Sequence, residues 1–395
     1  MISRIALIAA AGLLLGAAMT PARAADLGGG CCADLEERVA ELEATTARKG
    51  NRVVSLQIYG TVAKGLLTFD NGEDSDTFVV DNDAITSVLG FKGSAKFKPG
   101  WSTGFKVELA VQDASSNAVD ADFDDPADNI SIRESYVYIE SERLGRVSLG
   151  QQLLAADGVA GVSIANTLYG AAPDHSGGLS IGGTAGTVQL GDVASHFGVG
   201  RNDAIRYDSP SVYGFILSAT WGDDNYYDLA LRFAKEWNSI KIAGAIGYSN
   251  IDPDGGIDAS ASANNLGIAA EIISGSISVM HVPTGLFLNF AAGNKEAKEF
   301  DGEGSFWFTQ GGIERKWTSY GATTLHVDYG QYDDIGTLTV DASSSEATRF
   351  GFGIVQHFDS AALDLYAQAT FWNFELEGAE EEDMSTLMIG AKIDF

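Results

Sequence analysis

The chain has 395 residues, with 54 acidic against 25 basic side chains and a formal charge of −29. Such an excess of negative charge excludes a nucleic-acid binder, which must bring cations to phosphate. The two cysteines, adjacent at Cys31 and Cys32, exclude a disulfide framework, and helix-period runs are almost absent after residue 50 despite the length.

Arg4, the apolar stretch Ile5 to Ala18 and the small-x-small triplet Ala22-Arg23-Ala24 predict a signal peptide over residues 1–24. The stretch is shorter than the ~20 apolar residues of a spanning helix, and the longest apolar stretches elsewhere are broken by Gly, Lys, Glu or Asp. Residues 25–52 are expected to form a periplasmic segment with one short helix. Leu35, Val39 and Leu42 make an a/d seam, Asp34 and Glu37 suit a capping box, and Gly50 ends the run. Two heptads are marginal alone but reasonable as a coiled coil among copies already held together.

From residue 53 the chain reads as strands and turns. Sixteen strands are predicted, starting near Val53, Ile85, Trp101, Ile130, Arg146, Asp203, Tyr213, Tyr226, Ile240, Asn264, Ser276, Ser305, Ser319, Thr348, Ala362 and Ser385. Apolar residues recur every second position, as in Phe105-Val107-Leu109, Leu229-Leu231-Phe233 and Leu363-Leu365-Ala367, with charged residues between. The last strand carries Leu387, Ile389, Ala391 and Ile393 to a terminal Phe395. Each run suits the ~9–11 residues of a tilted membrane strand. Short turns, among them Lys98-Pro99-Gly100, Ser274-Gly275 and Trp317 to Gly321, alternate with long acidic connections. Aromatics cluster near strand ends, Trp101, Trp221, Trp237, Trp307, Trp317 and Trp372 among them, as interfacial girdles require. The expected fold is all-β: a closed transmembrane antiparallel barrel over 53–395, apolar outside and polar within, with both termini on one side.

Lys64, Lys92, Lys96, Lys106, Arg133, Arg146, Arg206 and Arg232 fall inside predicted strands. Facing lipid near the midplane, each would cost ~2–4 kcal/mol, so they are expected in the lumen. The longest connection, 152–200, is rich in Gly and holds Asp157, Asp174 and Asp192 with His175 and His196. Gly178-Leu179-Ser180-Ile181-Gly182 fits G-x-S-x-G but lacks the strand before and helix after that a nucleophile elbow needs. Asp120, Asp122 and Asp124 have EF-hand-like spacing, but Asp125 occupies the Gly position and Ser131 that of the bidentate Glu. No enzyme, resident metal or other cofactor is expected, beyond loose surface Ca²⁺ or Mg²⁺ in acidic loops.

Several blocks, taken in order, resemble Gram-negative general porins. They are Ser87 to Gly93, Arg133 with Tyr136-Val137, Gly145 to Gln151, Arg201 to Pro210 with Gly214-Phe215, and Lys392 to Phe395. Asp34 to Asn51 resembles the N-terminal region of the alphaproteobacterial members. The resemblance implies a homotrimer of sixteen-stranded barrels in the outer membrane of a Gram-negative bacterium, passing small hydrophilic solutes and ions. It makes 152–200 the inward-folding constriction loop, although the Pro-Glu-Phe-Gly-Gly motif of enterobacterial members is absent. It gives Asp174 and Asp192 as constriction acids facing a basic wall of Lys92, Lys106, Arg133, Arg146, Arg206 and Arg232, and Phe395 as the assembly signal. Expected partners are outer-membrane lipid, lipopolysaccharide and the assembly machinery. A channel preferring sugars or carboxylates, or a non-spanning secreted β-protein, are the alternative readings.

Overall fold

The structure is a computed structural model describing residues 53–395, apart from 122, 124–128, 168–175, 185–187, 223–225, 253–268, 299, 339–343 and 378–382. The expected signal peptide, the cysteine pair, the coiled coil and Asp174 lie outside the described residues.

The strands are β1 (Gln57–Asp70), β2 (Ser75–Asp81), β3 (Val88–Lys98), β4 (Trp101–Gln112), β5 (Asn129–Ser141) and β6 (Gly145–Leu153). After the long loop come β7 (Arg201–Asp208), β8 (Phe215–Gly222), β9 (Tyr227–Trp237), β10 (Ile240–Ile251) and β11 (Ala270–His281). The wall continues with β12 (Leu286–Ala297), β13 (Glu303–Arg315), β14 (Thr323–Asp333), β15 (Ser345–Phe358), β16 (Leu363–Leu376) and β17 (Met384–Asp394). Every named pairing is antiparallel, and β1 meets β17 over Thr61↔Asp394 to Asp70↔Ser385, which closes the barrel. On its other edge β1 pairs with β2 above (Lys64↔Asp81 to Asp70↔Ser75) and with β3 below (Gln57↔Lys92 to Thr61↔Val88). β2 and β3 are therefore halves of one stave, so seventeen segments make sixteen staves. At the break Asn82 donates its amide to the hydroxyl of Tyr366 on β16, 2.9 Å away.

Alternation sorts the faces. Leu365 is 44% exposed on the outer surface while Asp364 beside it is 3% exposed. Leu231, Ile246, Ile277, Phe352 and Ile389 are likewise exposed outward, where apolar surface meets acyl chains at no cost. Trp221, Trp237, Trp317 and Tyr320 stand exposed near strand ends.

Four expectations need correction. Ser274-Gly275 is no turn: β11 runs straight through it, and the chain turns after His281, with Gly285 at φ 75°. The small hydroxyl residues that mimic a turn are an inward row, Ser274, Ser276 and Ser278, and the loop packs on the last two. Trp372 is 3% exposed and inward, since Phe371 takes the outward position. Lys64 lies outside: a Cβ on neighbouring Gly65 would meet inward Met388 and Tyr366, so Lys64 points the other way. Its charge is paired there with Asp81 at 2.7 Å. Finally, the inner wall is not uniformly polar. Phe306, Phe308, Tyr332, Trp372 and Phe374 of β13–β16 face inward and are buried.

Candidate pore lining and constriction loop

The connection between β6 and β7 lies inside the barrel, and its own backbone shows how it is held. Ala155 N–H donates to Thr220 Oγ1 at 2.8 Å on β8, and Ala156 N–H to Asp228 Oδ2 at 2.7 Å on β9. Val162 and Ile164 N–H donate to Ser276 and Ser278 Oγ on β11, both at 3.0 Å. Asn166 N–H donates to Glu314 Oε2 on β13 at 2.7 Å, and its side-chain amide to Asp364 Oδ1 on β16 at 3.2 Å. A strap, with a 3-10 turn at Val159–Gly161 and alternate N–H groups turned to the wall over 162–166, thus follows the inner surface from β8 to β16. Wall hydroxyls and carboxylates satisfy backbone groups that burial would otherwise leave orphaned.

The returning limb packs by apolar contact. Leu179, Ile181, Leu190, Val193 and Phe197 join Phe69, Phe78, Phe306, Phe308 and Trp372 in one buried cluster. His196 stacks on Phe306 with ring centroids 4.3 Å apart and lies 3.1 Å from the hydroxyl of Tyr332. Burial, with Arg349 nearby, pushes its pKa down to about 3. Arg349 itself, 1% exposed, pairs with Asp328 at 3.0 Å between the rings of Phe308 and Trp372. Gly351 leaves space for that pair, because a Cβ there would sit 2.5 Å from Asp328 Oδ1.

Asp192 lies in the short helix α1 (Leu190–Val193), where its carboxylate accepts the Gln189 N–H at 2.9 Å as part of a capping box. Helix α1 packs towards β15. Ser180 donates its hydroxyl to Asp120, and its N–H to the same carboxylate at 3.1 Å, tying the loop to the β4–β5 connection. The G-x-S-x-G match is therefore a strut, with His196 engaged elsewhere.

The loop leaves the charged inner face of β4–β6 open. Lys106, Arg133 and Arg146 side chains are 25%, 24% and 36% exposed to the lumen, against 1% and 3% for Phe308 and Trp372 across the barrel. The six cations named for the basic wall lie on β3–β7 and β9. Lys92 lies 5.0 Å from the Tyr59 ring. Lys106 touches Glu134 and lies 3.0 Å from Glu108. Arg133 reaches Glu108 at 3.0 Å because a β-bulge opposite Glu108 and Leu109 turns both Arg133 and Glu134 inward. Arg146 meets Glu140 at 2.9 Å and covers the Tyr138 ring at 4.3 Å. Arg206 grips Asp208 (Nη2 to Oδ1 2.8 Å) and donates to Leu153 O at 3.0 Å, clamping the exit of β6 into the loop. Arg232 donates to Asp157 O at 2.8 Å.

Sequence reasoning missed the acids of this same wall: Glu108, Glu134, Glu140 and Asp208. Their signal was present, since each shares an inward register with a flagged cation. Asp157, at the loop's root, accepts the Gly200 N–H at 2.8 Å, and burial raises its pKa against the pull of that bond and of Arg201. A cavity of about 250 Å³ opens among Lys106, Glu134, Tyr136, Arg146, Arg206 and Asp208.

A closed antiparallel wall, greasy outside, with a charged inner surface and a loop strapped within, defines a transmembrane β-barrel channel. A family model described as Gram-negative porin matches residues 6–375, and the chain belongs to that family. It is an outer-membrane porin, a channel for passive diffusion. Among solved structures it is similar to the anion-selective porin of Comamonas acidovorans, at 16% identity and TM-score 0.58, covering 87% of this chain and 100% of that one. It is also similar to OmpF of Salmonella typhi in complex with daunomycin (12% identity, TM-score 0.54, 88% and 99% covered). The outer-membrane channel DcaP of Acinetobacter baumannii compares likewise (10% identity, TM-score 0.55, 88% and 99% covered). At such identities the likeness is one of fold. No curated protein sequence matches the chain.

Proposed function

We propose that small hydrophilic solutes and ions cross this porin along the charged wall that carries Lys92, Lys106, Arg133, Arg146, Arg206 and Arg232, without catalysis and without a bound cofactor. The observation that carries this is the unequal use of the inner surface. The strap runs over β8 to β16 and the aromatic cluster lies on β13–β16, while the charged side chains of β4–β6 remain open to the lumen. Hydrated charges can line a water-filled passage, whereas an apolar solute entering it must displace ordered water without replacing its hydrogen bonds. Asp157 and Asp192, the described acids of the loop, serve its docking and capping. Asp174 is left as the proposed constriction acid.

The assembly proposed is a homotrimer in lipid and lipopolysaccharide, delivered by the outer-membrane assembly machinery through a signal that includes Phe395. Planar-bilayer recording on the purified full chain tests the function. Stepwise conductance is expected, and charge-neutralising substitutions at Arg133 and Arg146 are expected to change its ion selectivity. A channel whose selectivity ignores both would place the path elsewhere. Deleting Phe395 is expected to lower the folded fraction at the cell surface.

A further inference from the structure

We infer that the open wall recognises small zwitterions, solutes carrying an ammonium and a carboxylate a few ångströms apart, in preference to anions, cations or uncharged solutes of equal size. This rests on the wall being the passage, as proposed above.

The argument begins with register. Glu140, Arg146 and Asp208 are direct cross-strand partners on β5, β6 and β7, an acid–base–acid row. Higher up, Lys92 faces Lys106 and, one inward step along, Glu108 faces Glu134. Like charges directly opposed repel. Here each pair is compensated by the row beside it: Lys106 touches Glu134 and lies 3.0 Å from Glu108. The wall is thus a lattice of both signs, in which a basic pair lies beside an acidic pair and one row alternates, its neighbouring strands ~5 Å apart.

Such a lattice differs from a basic wall facing an acidic one. Segregated charges make a field across the whole opening, which sorts ions by sign. Interleaved charges cancel within roughly one lattice spacing, so an ion in mid-channel feels little net pull. At contact range the reverse holds. A lone anion approaching Arg146 meets Glu140 and Asp208 beside it. A zwitterion can set its carboxylate against a cation and its ammonium against the adjacent acid at the same time. The cavity of about 250 Å³ offers both signs in one place, with Lys106, Arg146 and Arg206 beside Glu134 and Asp208. It has room for about eight waters at ~30 Å³ each, hence for a solute of a few heavy atoms.

Vesicles containing the full chain in 0.15 M salt are loaded with trace labelled glycine, glycolate, ethanolammonium or glycolamide, which match closely in size and differ in charge. Glycine is expected to leave about threefold faster than glycolamide, the scale of one exposed charge-pair contact. Glycolate and ethanolammonium are expected to leave within about twofold of each other. In Lys106→Gln/Glu134→Gln the glycine-to-glycolamide ratio is expected to fall towards one. Arg146→Gln/Glu140→Gln repeats the test on a second pair should the first fold poorly. A ratio of one in the unaltered channel, or a clear lead for glycolate or ethanolammonium, overturns the inference while leaving the channel intact. Glycolamide leaving no faster than from protein-free vesicles would instead overturn the proposed passage.

Discussion

His196 illustrates how a single side chain can tie a loop to a wall. Its ring lies among Phe306, Phe308 and Tyr332 and is neutral there, with a pKa of about 3. Released into water the same imidazole takes a proton near pH 6.5. Between these values the undocked loop binds more protons than the docked one, so docking weakens as pH falls from about 6.5 towards 3. Limited proteolysis of the loop is expected to quicken over that range, and His196→Phe is expected to remove this contribution. Equal acid sensitivity in the variant would assign the effect to another group. Arg349 makes the complementary case. Substituting it by Met leaves Asp328, fully buried, without its partner. A loss of about 3–5 kcal/mol in unfolding free energy is expected, as for other buried pairs broken on one side. Adding Asp328→Asn should restore much of it, measured by urea unfolding in lipid.

The element that decides the pore is the strap of residues 155–166. It is held by N–H groups donated to side chains of the wall, each an ordinary hydrogen bond. Replacing Ser276 and Ser278 together by Ala would remove the partners of the part-buried N–H groups of Val162 and Ile164, at about 0.5–1.5 kcal/mol each. The barrel itself keeps its ladders, so the expected signature is added conductance noise with an unchanged heat-modified band on gels. Unchanged noise would mean that the apolar limb alone holds the loop. These serines also explain why a turn was expected at Ser274-Gly275. Small polar residues serve equally in a turn or under a packed loop, and local sequence does not distinguish them.

At the scale of the molecule, the charge of −29 and the lattice on the wall act over different distances. Net acidity at the mouths gathers cations, and its reach is the Debye length, about 30 Å at 0.01 M salt and about 8 Å at 0.15 M. Cation preference is therefore expected at 0.01 M salt and near-equal permeability from 0.15 M upwards, read from reversal potentials. A strong preference surviving 1 M salt would argue for segregated charge at the narrowest point. Closure belongs to this scale too. Phe395 exchanges two backbone hydrogen bonds with Gly60, at 2.9 and 3.0 Å, so the last residue helps fasten the last stave to the first.

What the sequence by itself determined is the wall. The two-residue period, the absence of other long apolar helices and the alternation of short and long connections were enough for sixteen staves with their outer and inner faces. Strand alternation, being local, also marked most of the inward cations, although Lys64 lies outside, where Asp81 pairs its charge. The interior was decided only by tertiary structure. Which inner residues are wet and which are packed depends on where the loop lies, and it is held by groups more than 100 residues away, such as Ser276 for Val162. No periodicity encodes that distance, so Trp372 read as a girdle residue, and Glu140 met Arg146 only when β5 and β6 came into register.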